Sequence, residues 1–187
     1  MLSSPGKISE QTPLLRRAVF LDRDGVINHS VVIDGKPYPP ENVAAMKILP
    51  GVPQALKALS KAGFLLIVIT NQPDVAKGMT SRETVEEIHN YMAACLPIDE
   101  FRTCFHQDSD GCDCRKPSPG ALLAAAKSHH IDLEKSYMVG DRWRDVEAGQ
   151  QAGCKTIFID YRYKEKQPSS MNFRVKTLNE AAQIILG

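Results

Sequence analysis

Apolar and polar positions alternate in blocks along the chain. Residues 18–21 form a short apolar run, and residues 64–69 a longer and nearly continuous one. Runs of this length read as strands covered on both faces. Residues 136–139 and 156–159 repeat the pattern, and residues 101–105 add a further short strand. Between the runs the apolar period becomes helical. Val52, Ala55, Leu56 and Leu59 share one face of a helix over residues 52–62, with Gly63 as its stop. A second helix is expected to open at Thr80, with Glu83 completing a capping box and Val85, Ile88, Met92 and Cys95 on its buried face. A third follows an N-cap at Ser118 with Pro119 in the first helical position, and its apolar residues carry it to His129. A fourth ends at Ala152 before Gly153, and a fifth opens at Thr177 with Glu180 and runs to Leu186. Strands alternating with helices predict an α/β fold: a Rossmann-like parallel sheet with helices on both faces.

Two stretches interrupt this alternation. Val31-Val32-Ile33-Asp34-Gly35-Lys36-Pro37-Tyr38 places an Asp-Gly pair after a β-branched run, a hairpin signal. It predicts a small flap over the end of the first strand, kept extended beyond by Pro39 and Pro40. Residues 1–16 are polar and aperiodic and read as a loose leader, which leaves residues 17–187 as one domain. Apolar residues make up 43% and charged residues 24%, an ordinary balance for a soluble globular chain. A net charge of +1 supplies no general field toward nucleic acid or an anionic membrane. No apolar run is long enough to span a bilayer, and no hydrophobic signal segment is visible. The five cysteines are odd in number, with three crowded into one loop. That usage predicts a metal site in a reducing compartment, hence a cytoplasmic protein.

The chemistry lies where apolar runs stop. Asp22 and Asp24 follow the first run, Thr70 and Asn71 the second, and Asp141 a third. In a doubly wound sheet these ends share one edge, where ligands bind. Asp22 and Asp24 alternate about Arg23, so both can lean to one side. Carboxylates that close repel unless a cation or a proton lies between them. With Lys116 nearby, the set suits a divalent cation bound together with a phosphate, and Mg²⁺ needs only a few oxygen ligands. Thr70 and Asn71 alone are equally readable as turn formers, and Asp145 as a dipole-favoured residue in a first helical turn. Cys104, His106, Cys112 and Cys114 form a Cys₃His set within loop 104–114, suited to tetrahedral Zn²⁺ in a closed structural site. Free thiols are the alternative there. Cys95 and Cys154 read as buried small hydrophobes, and His89, His129 and His130 as surface or capping residues.

Asp22-Arg23-Asp24-Gly25, Thr70-Asn71, Lys116 and Gly140-Asp141 with Asp145 four residues on resemble the four motifs of the haloacid dehalogenase superfamily, in order and at the strand ends. That resemblance implies hydrolysis through an aspartyl-phosphate. Asp22 would be the nucleophile, Asp24 the acid and then the base. Asp22, the Asp24 carbonyl and Asp141 would hold Mg²⁺, with Thr70, Asn71 and Lys116 on the phosphoryl group. The zinc loop running into Arg115-Lys116-Pro117 narrows the resemblance to the D-glycero-D-manno-heptose 1,7-bisphosphate phosphatases and, next, the histidinol-phosphate phosphatases. Gln72 followed by Val75-Ala76-Lys77-Gly78 leans toward the heptose enzymes, while Pro73-Asp74 departs from their pattern. The resemblance implies a haloacid dehalogenase fold with a flap and a zinc loop but no large cap domain. It implies a monomer that removes the 7-phosphate of a small phosphorylated sugar, in heptose synthesis for lipopolysaccharide or other surface polysaccharide, without nucleic acid or membrane partners. Arg23, Ser30, Val31, Val32, Ile33, Asn71, Gln72, Pro73, Arg115 and Arg142 would meet the substrate. Histidinol phosphate is the alternative substrate. A zinc-stabilised binding module on an inactive phosphatase frame is the alternative class, disfavoured by the intact Asp22, Asp24, Lys116 and Asp141.

Overall fold

The computed structural model describes residues 14–187. Up to residue 13 the expected leader lies outside the described residues. The central sheet contains β1 (Arg17–Leu21), β4 (Phe64–Asn71), β5 (Glu100–Cys104), β6 (Tyr137–Gly140), β7 (Lys155–Ile159) and β8 (Phe173–Val175). A separate hairpin is built from β2 (Val31–Ile33) and β3 (Lys36–Tyr38). The helices are α1 (Val52–Lys61), α2 (Arg82–Cys95), α3 (Gly120–His129), α4 (Trp143–Ala152) and α5 (Leu178–Leu186). Strand order is β5-β4-β1-β6-β7-β8, and every neighbouring pair is parallel. The chain leaves β1 for β4 on one side and later takes up β6 on the other. That reversal opens a crevice at the carboxyl end of β1, where sheets of this kind bind ligands.

The period of two along β1 divides the core. Val19 and Leu21 enter the layer shared with Leu56 of α1, Ile88 of α2 and Leu178 of α5. Ala18 and Phe20 enter the opposite layer, with Leu122 of α3 and Ala148 of α4. Both faces are covered, which is why the strands read as unbroken apolar runs. In the flap, Asp34 and Gly35 both take positive φ, 51° and 80°, as the tight hairpin turn requires. Among the described residues this hairpin is the only sheet formed outside the core.

Four local expectations are corrected. Ser81 caps α2, not Thr80: its Oγ accepts from the Thr84 amide at 3.0 Å. Cys95 falls in the last turn of α2 and is exposed, while His89 takes the buried place on that helix. α3 begins at Gly120 without a Ser118 side-chain cap. Gly120 packs so tightly on the cysteine-bearing loop that a Cβ there would lie 2.5 Å from the Asp113 carbonyl oxygen. β8 carries no apolar signal because Phe173 and Arg174 are both exposed on an edge strand. Cys154 is buried, as its apolar neighbours predict.

Leu66 lies at the centre of β4 with no exposed surface. Leu66→Ala removes packing that the surrounding sheet and helices cannot refill, so unfolding free energy should fall by about 2–5 kcal/mol. Urea denaturation reads this as a lower midpoint at unchanged m-value.

Candidate active site

The crevice at the switch point is a cavity of about 310 Å³. Asp22 and Asp24 enter it from β1, and Thr70 to Asp74 from the end of β4. Arg115 and Lys116 reach it from the end of the cysteine-bearing loop, Arg142, Arg144 and Asp145 from the start of α4. The hairpin contributes Lys36–Tyr38.

The floor is crowded with charge. Asp22, Asp141 and Asp145 place one carboxylate oxygen each within 4.8 Å of the others. Lys116 Nζ sits among them, 2.9 Å from Asp22 Oδ1, 2.6 Å from Asp145 Oδ1 and 2.6 Å from the Ile69 carbonyl. Its donors are all engaged, so contact with a phosphoryl group requires sharing one of them. Burial would lower the Lys116 pKa, but Asp145 and Asp22 outweigh it and hold it above its ordinary value. Burial, with Asp145 second, pushes Asp22 up to about 6. Asp141 is raised as well, by burial first and then by Asp22 and Asp145. Three buried carboxylates around one ammonium form a site short of positive charge.

The oxygens left over fit a divalent cation. Asp145 has both oxygens engaged, Oδ1 by Lys116 and Oδ2 by the Arg142 amide at 2.9 Å. Both donors to Asp22 reach Oδ1. Asp141 Oδ1 is buried without any hydrogen-bond partner. An unpartnered buried carboxylate oxygen is costly unless a cation meets it. Gly25 makes room: a Cβ there would fall 1.9 Å from Asp141 Oδ2. Asp145, readable from sequence as a plain helix residue, therefore belongs to the site as the anchor of Lys116. Its signal was the spacing after Gly140-Asp141: a Cβ at Gly140 would fall 2.1 Å from that of Asp145.

Asp24 occupies a different environment. Arg23 Nη2 donates to its two oxygens at 3.1 and 2.9 Å, Asn28 to Oδ1 at 2.9 Å and Gln72 Nε2 to Oδ2 at 2.9 Å. Burial alone would raise Asp24, but Arg23 and these donors outweigh it and hold the carboxyl below its ordinary value. Gln72 Nε2 also reaches Thr70 Oγ1 at 2.9 Å, joining the ends of β1 and β4.

Arg23 does not line this cavity. It is fully buried, and the alternation of β1 sends it to the α2 side, opposite Asp22. There its Nη1 lies 3.2 Å from His89 Nε2, and the His89 ring stacks on Phe101 at 4.5 Å. Val31, Val32 and Ile33 are also displaced from the expected role. They are half-exposed and do not line the cavity; Lys36–Tyr38 of the paired strand do. Ser30, Gln72, Pro73, Arg115 and Arg142 do line it. Asn71 lines it too, but its side chain is paired with the Lys116 peptide, at 3.0 and 3.2 Å. Lys36 and Arg144 join the cationic rim without having been singled out, and Lys77 of the Val75–Gly78 stretch joins it as well. Asp108 of the same loop as the cysteines accepts from Arg115 Nε at 2.7 Å and Arg144 Nη1 at 3.2 Å, orienting both.

The second cluster lies beside this rim. Cys104 Sγ is 3.7 Å from Cys112 Sγ and 3.3 Å from Cys114 Sγ, and His106 Nδ1 is 3.6 Å from Cys104 Sγ and 3.4 Å from Cys114 Sγ. Tetrahedral Zn²⁺ with its usual bond lengths sets such ligand separations at roughly 3.6–3.8 Å. Burial pushes the Cys104 thiol up to about 12, so its thiolate requires a cation. The four side chains could hold a metal ion.

A doubly wound parallel sheet with an Asp-x-Asp turn at its switch point, facing a lysine and a Gly-Asp turn, is the frame of the haloacid dehalogenase-like hydrolases. The HAD-hydrolase-like family model matches residues 113–170. A D-glycero-beta-D-manno-heptose-1,7-bisphosphate 7-phosphatase of Rhodopseudomonas palustris is 37% identical over 74% of this chain and 80% of its own. The enzyme of that name from Escherichia coli K12 is 35% identical over 89% of this chain and 91% of its own. The crystal structure of D,D-heptose 1,7-bisphosphate phosphatase from B. bronchiseptica, complexed with magnesium and phosphate, superposes with a TM-score of 0.79 at 30% identity, covering 91% of this chain and 98% of that one. The chain belongs to this family of phosphatases, and with it to the phosphoric monoester hydrolases.

His89 supplies a test of the Arg23 contact. Burial, and then Arg23, lowers its pKa from 6.5 to about 4. A lowered pKa means that the unfolded chain takes up the proton first, so stability falls as pH drops from 6.5 toward 4. In urea melts across this window, wild type should lose about 1–3 kcal/mol more than His89→Gln. Parallel pH profiles for the two proteins contradict the buried place of His89 beside Arg23.

Proposed function

We propose that the chain is a Mg²⁺-dependent sugar-bisphosphate phosphatase that removes the 7-phosphate of D-glycero-D-manno-heptose 1,7-bisphosphate and spares the 1-phosphate. One observation carries this reading: a cavity with a carboxylate floor beneath a rim of Lys36, Lys77, Arg115, Arg142 and Arg144. The floor takes the reacting phosphate with its cation. The rim, with arginine's bidentate donors, suits a second phosphate that is held and not cleaved. The names of the relatives supply the heptose.

In this reading an Asp22 oxygen attacks phosphorus and the bond from phosphorus to the sugar oxygen breaks. Asp24, which must first take up a proton against the pull of Arg23, gives it to that oxygen as it leaves. A water then passes a proton to Asp24 and attacks the aspartyl-phosphate, releasing phosphate and restoring the Asp22 carboxylate. Dividing the displacement in two makes each half easier. The Thr70 hydroxyl and Lys116 hold the phosphoryl oxygens. Ser30, Gln72, Pro73, Arg115 and Arg142 bound the sugar. Mg²⁺, held by Asp22, Asp141 and the Asp24 carbonyl, would neutralise charge between nucleophile and phosphate. Zn²⁺ on Cys104, His106, Cys112 and Cys114 would stiffen the loop that presents Arg115 and Lys116. The same reading gives one domain over residues 17–187 after a leader, acting as a monomer in the cytoplasm, where five free thiols stay reduced.

A panel of phosphorylated metabolites tests the substrate. Turnover should be highest on the heptose 1,7-bisphosphate, with the 1-phosphate retained; equal or better turnover of histidinol phosphate rejects the assignment. Asp22→Asn should abolish phosphate release while circular dichroism stays unchanged, and wild-type rates in that variant would overturn the nucleophile. Metal analysis of protein purified without chelator should find about one zinc per chain. Removing it should lower activity that Mg²⁺ alone does not restore.

A further inference from the structure

The sharpest unused feature of the site is a tyrosine that no sequence motif marks. Tyr163 Oη donates to Asp141 Oδ2 at 2.9 Å, and both residues are buried. The other oxygen of the same carboxylate, Oδ1, has no partner although Asp141 is only 1% exposed. Gly25 closes the third side: a Cβ built there would meet Asp141 Oδ2 at 1.9 Å and Tyr163 Oη at 3.3 Å. The carboxylate is therefore held in one orientation, with one oxygen occupied and the other open. We propose that Tyr163 is a positioning residue for the divalent cation, donating to Asp141 Oδ2 so that Oδ1 is the oxygen offered to the ion. This rests on the Mg²⁺ reading above and adds to it a residue outside the motif positions.

The tyrosine is itself fixed from two sides. Arg162 takes a left-handed φ of 57°, and its amide donates to Asp160 Oδ1 at 2.8 Å, which turns the chain after β7 back toward the sheet edge. The Lys164 amide donates to the Gly35 carbonyl at 2.8 Å, pinning the same segment to the flap. Glu165 pairs with Arg142, the neighbour of Asp141. A hydroxyl placed this way fixes the rotamer of its carboxylate before any ion arrives. Partners behind a metal ligand typically contribute 10–100-fold in metal affinity.

Tyr163→Phe removes the hydroxyl alone. Tyr161→Phe is the control, since Tyr161 stacks on Tyr163 at 5.5 Å without touching Asp141. Each protein is freed of Mg²⁺ by dialysis against metal-free buffer without chelator, which leaves any metal on the cysteine loop in place, and its thermal midpoint is followed as MgCl₂ is added, so the readout does not depend on turnover. Wild type and Tyr161→Phe should be stabilised over the same Mg²⁺ range. Tyr163→Phe should need roughly 10–100-fold more Mg²⁺ for the same shift. Its activity should recover to within a few-fold at saturating Mg²⁺, with the activation midpoint displaced to match. A wild-type Mg²⁺ range in Tyr163→Phe overturns the role of Tyr163 and leaves the phosphatase reading intact. No Mg²⁺ response in wild type overturns both.

Discussion

Everything at this site follows from placing three carboxylates around one ammonium group inside a fold. Two unit charges about 4 Å apart repel by roughly 4 kcal/mol at an effective dielectric near 20. Asp22, Asp141 and Asp145 are all buried and crowd within 4.8 Å, and Lys116 is the cation bonded to two of them. The protein retains the mismatch and lets the acids respond: Asp22 is pushed up to about 6, and Asp141 is raised with it. A structural ion-pair network would close on itself, with every oxygen partnered. This one leaves Asp141 Oδ1 without a partner among the described residues, an oxygen that could meet a cation.

The sheet makes that mismatch tolerable. β1 is central, so its end is flanked by β4 and β6, and the Asp22 amide is tied to the Val139 carbonyl of β6. The acids therefore stand on backbone that cannot relax away from its neighbours. Rigidity also reaches the rim from outside the sheet. The Cys104, His106, Cys112 and Cys114 cluster closes the loop that delivers Arg115 and Lys116, and Asp108 in the same loop braces Arg115 and Arg144. Cations on long side chains lose entropy when they bind a phosphate. Holding them beforehand reduces that loss.

Much of this was legible because it is periodic or local. The apolar runs identified β1, β4, β6 and β7, and the polar residues at their ends led to Asp22, Asp24, Thr70 and Asp141. The Asp34-Gly35 pair identified the hairpin. What escaped depends on which side chain turns where after folding. Arg23 looks like a cation beside the substrate, but strand alternation buries it against His89. His89 looks like a surface histidine because a helix of 14 residues carries few apolar positions. β8 carries no run at all, and Tyr163 reaches Asp141 across 22 residues of sequence. Those pairings are set by tertiary packing, to which hydrophobic periodicity is blind.

The hidden arginine explains how one short turn supports two unlike acids. Asp22 and Asp24 are separated by one residue, and in a uniform environment they would titrate alike. Instead Asp22 faces other carboxylates and rises, while Asp24 faces Arg23, Asn28 and Gln72 and falls. The two acids are thereby made unlike, but in the sense opposite to a nucleophile that stays ionised and an acid that holds a proton. The side chain between them creates the difference, since alternation must send it to the opposite face, where neutral His89 leaves its charge free for Asp24. A cation on the Asp22 side would lower the acid that is now raised. The pair is thus tuned from both faces of one strand: Arg23 holds Asp24 down on one, while burial and the neighbouring carboxylates hold Asp22 up on the other.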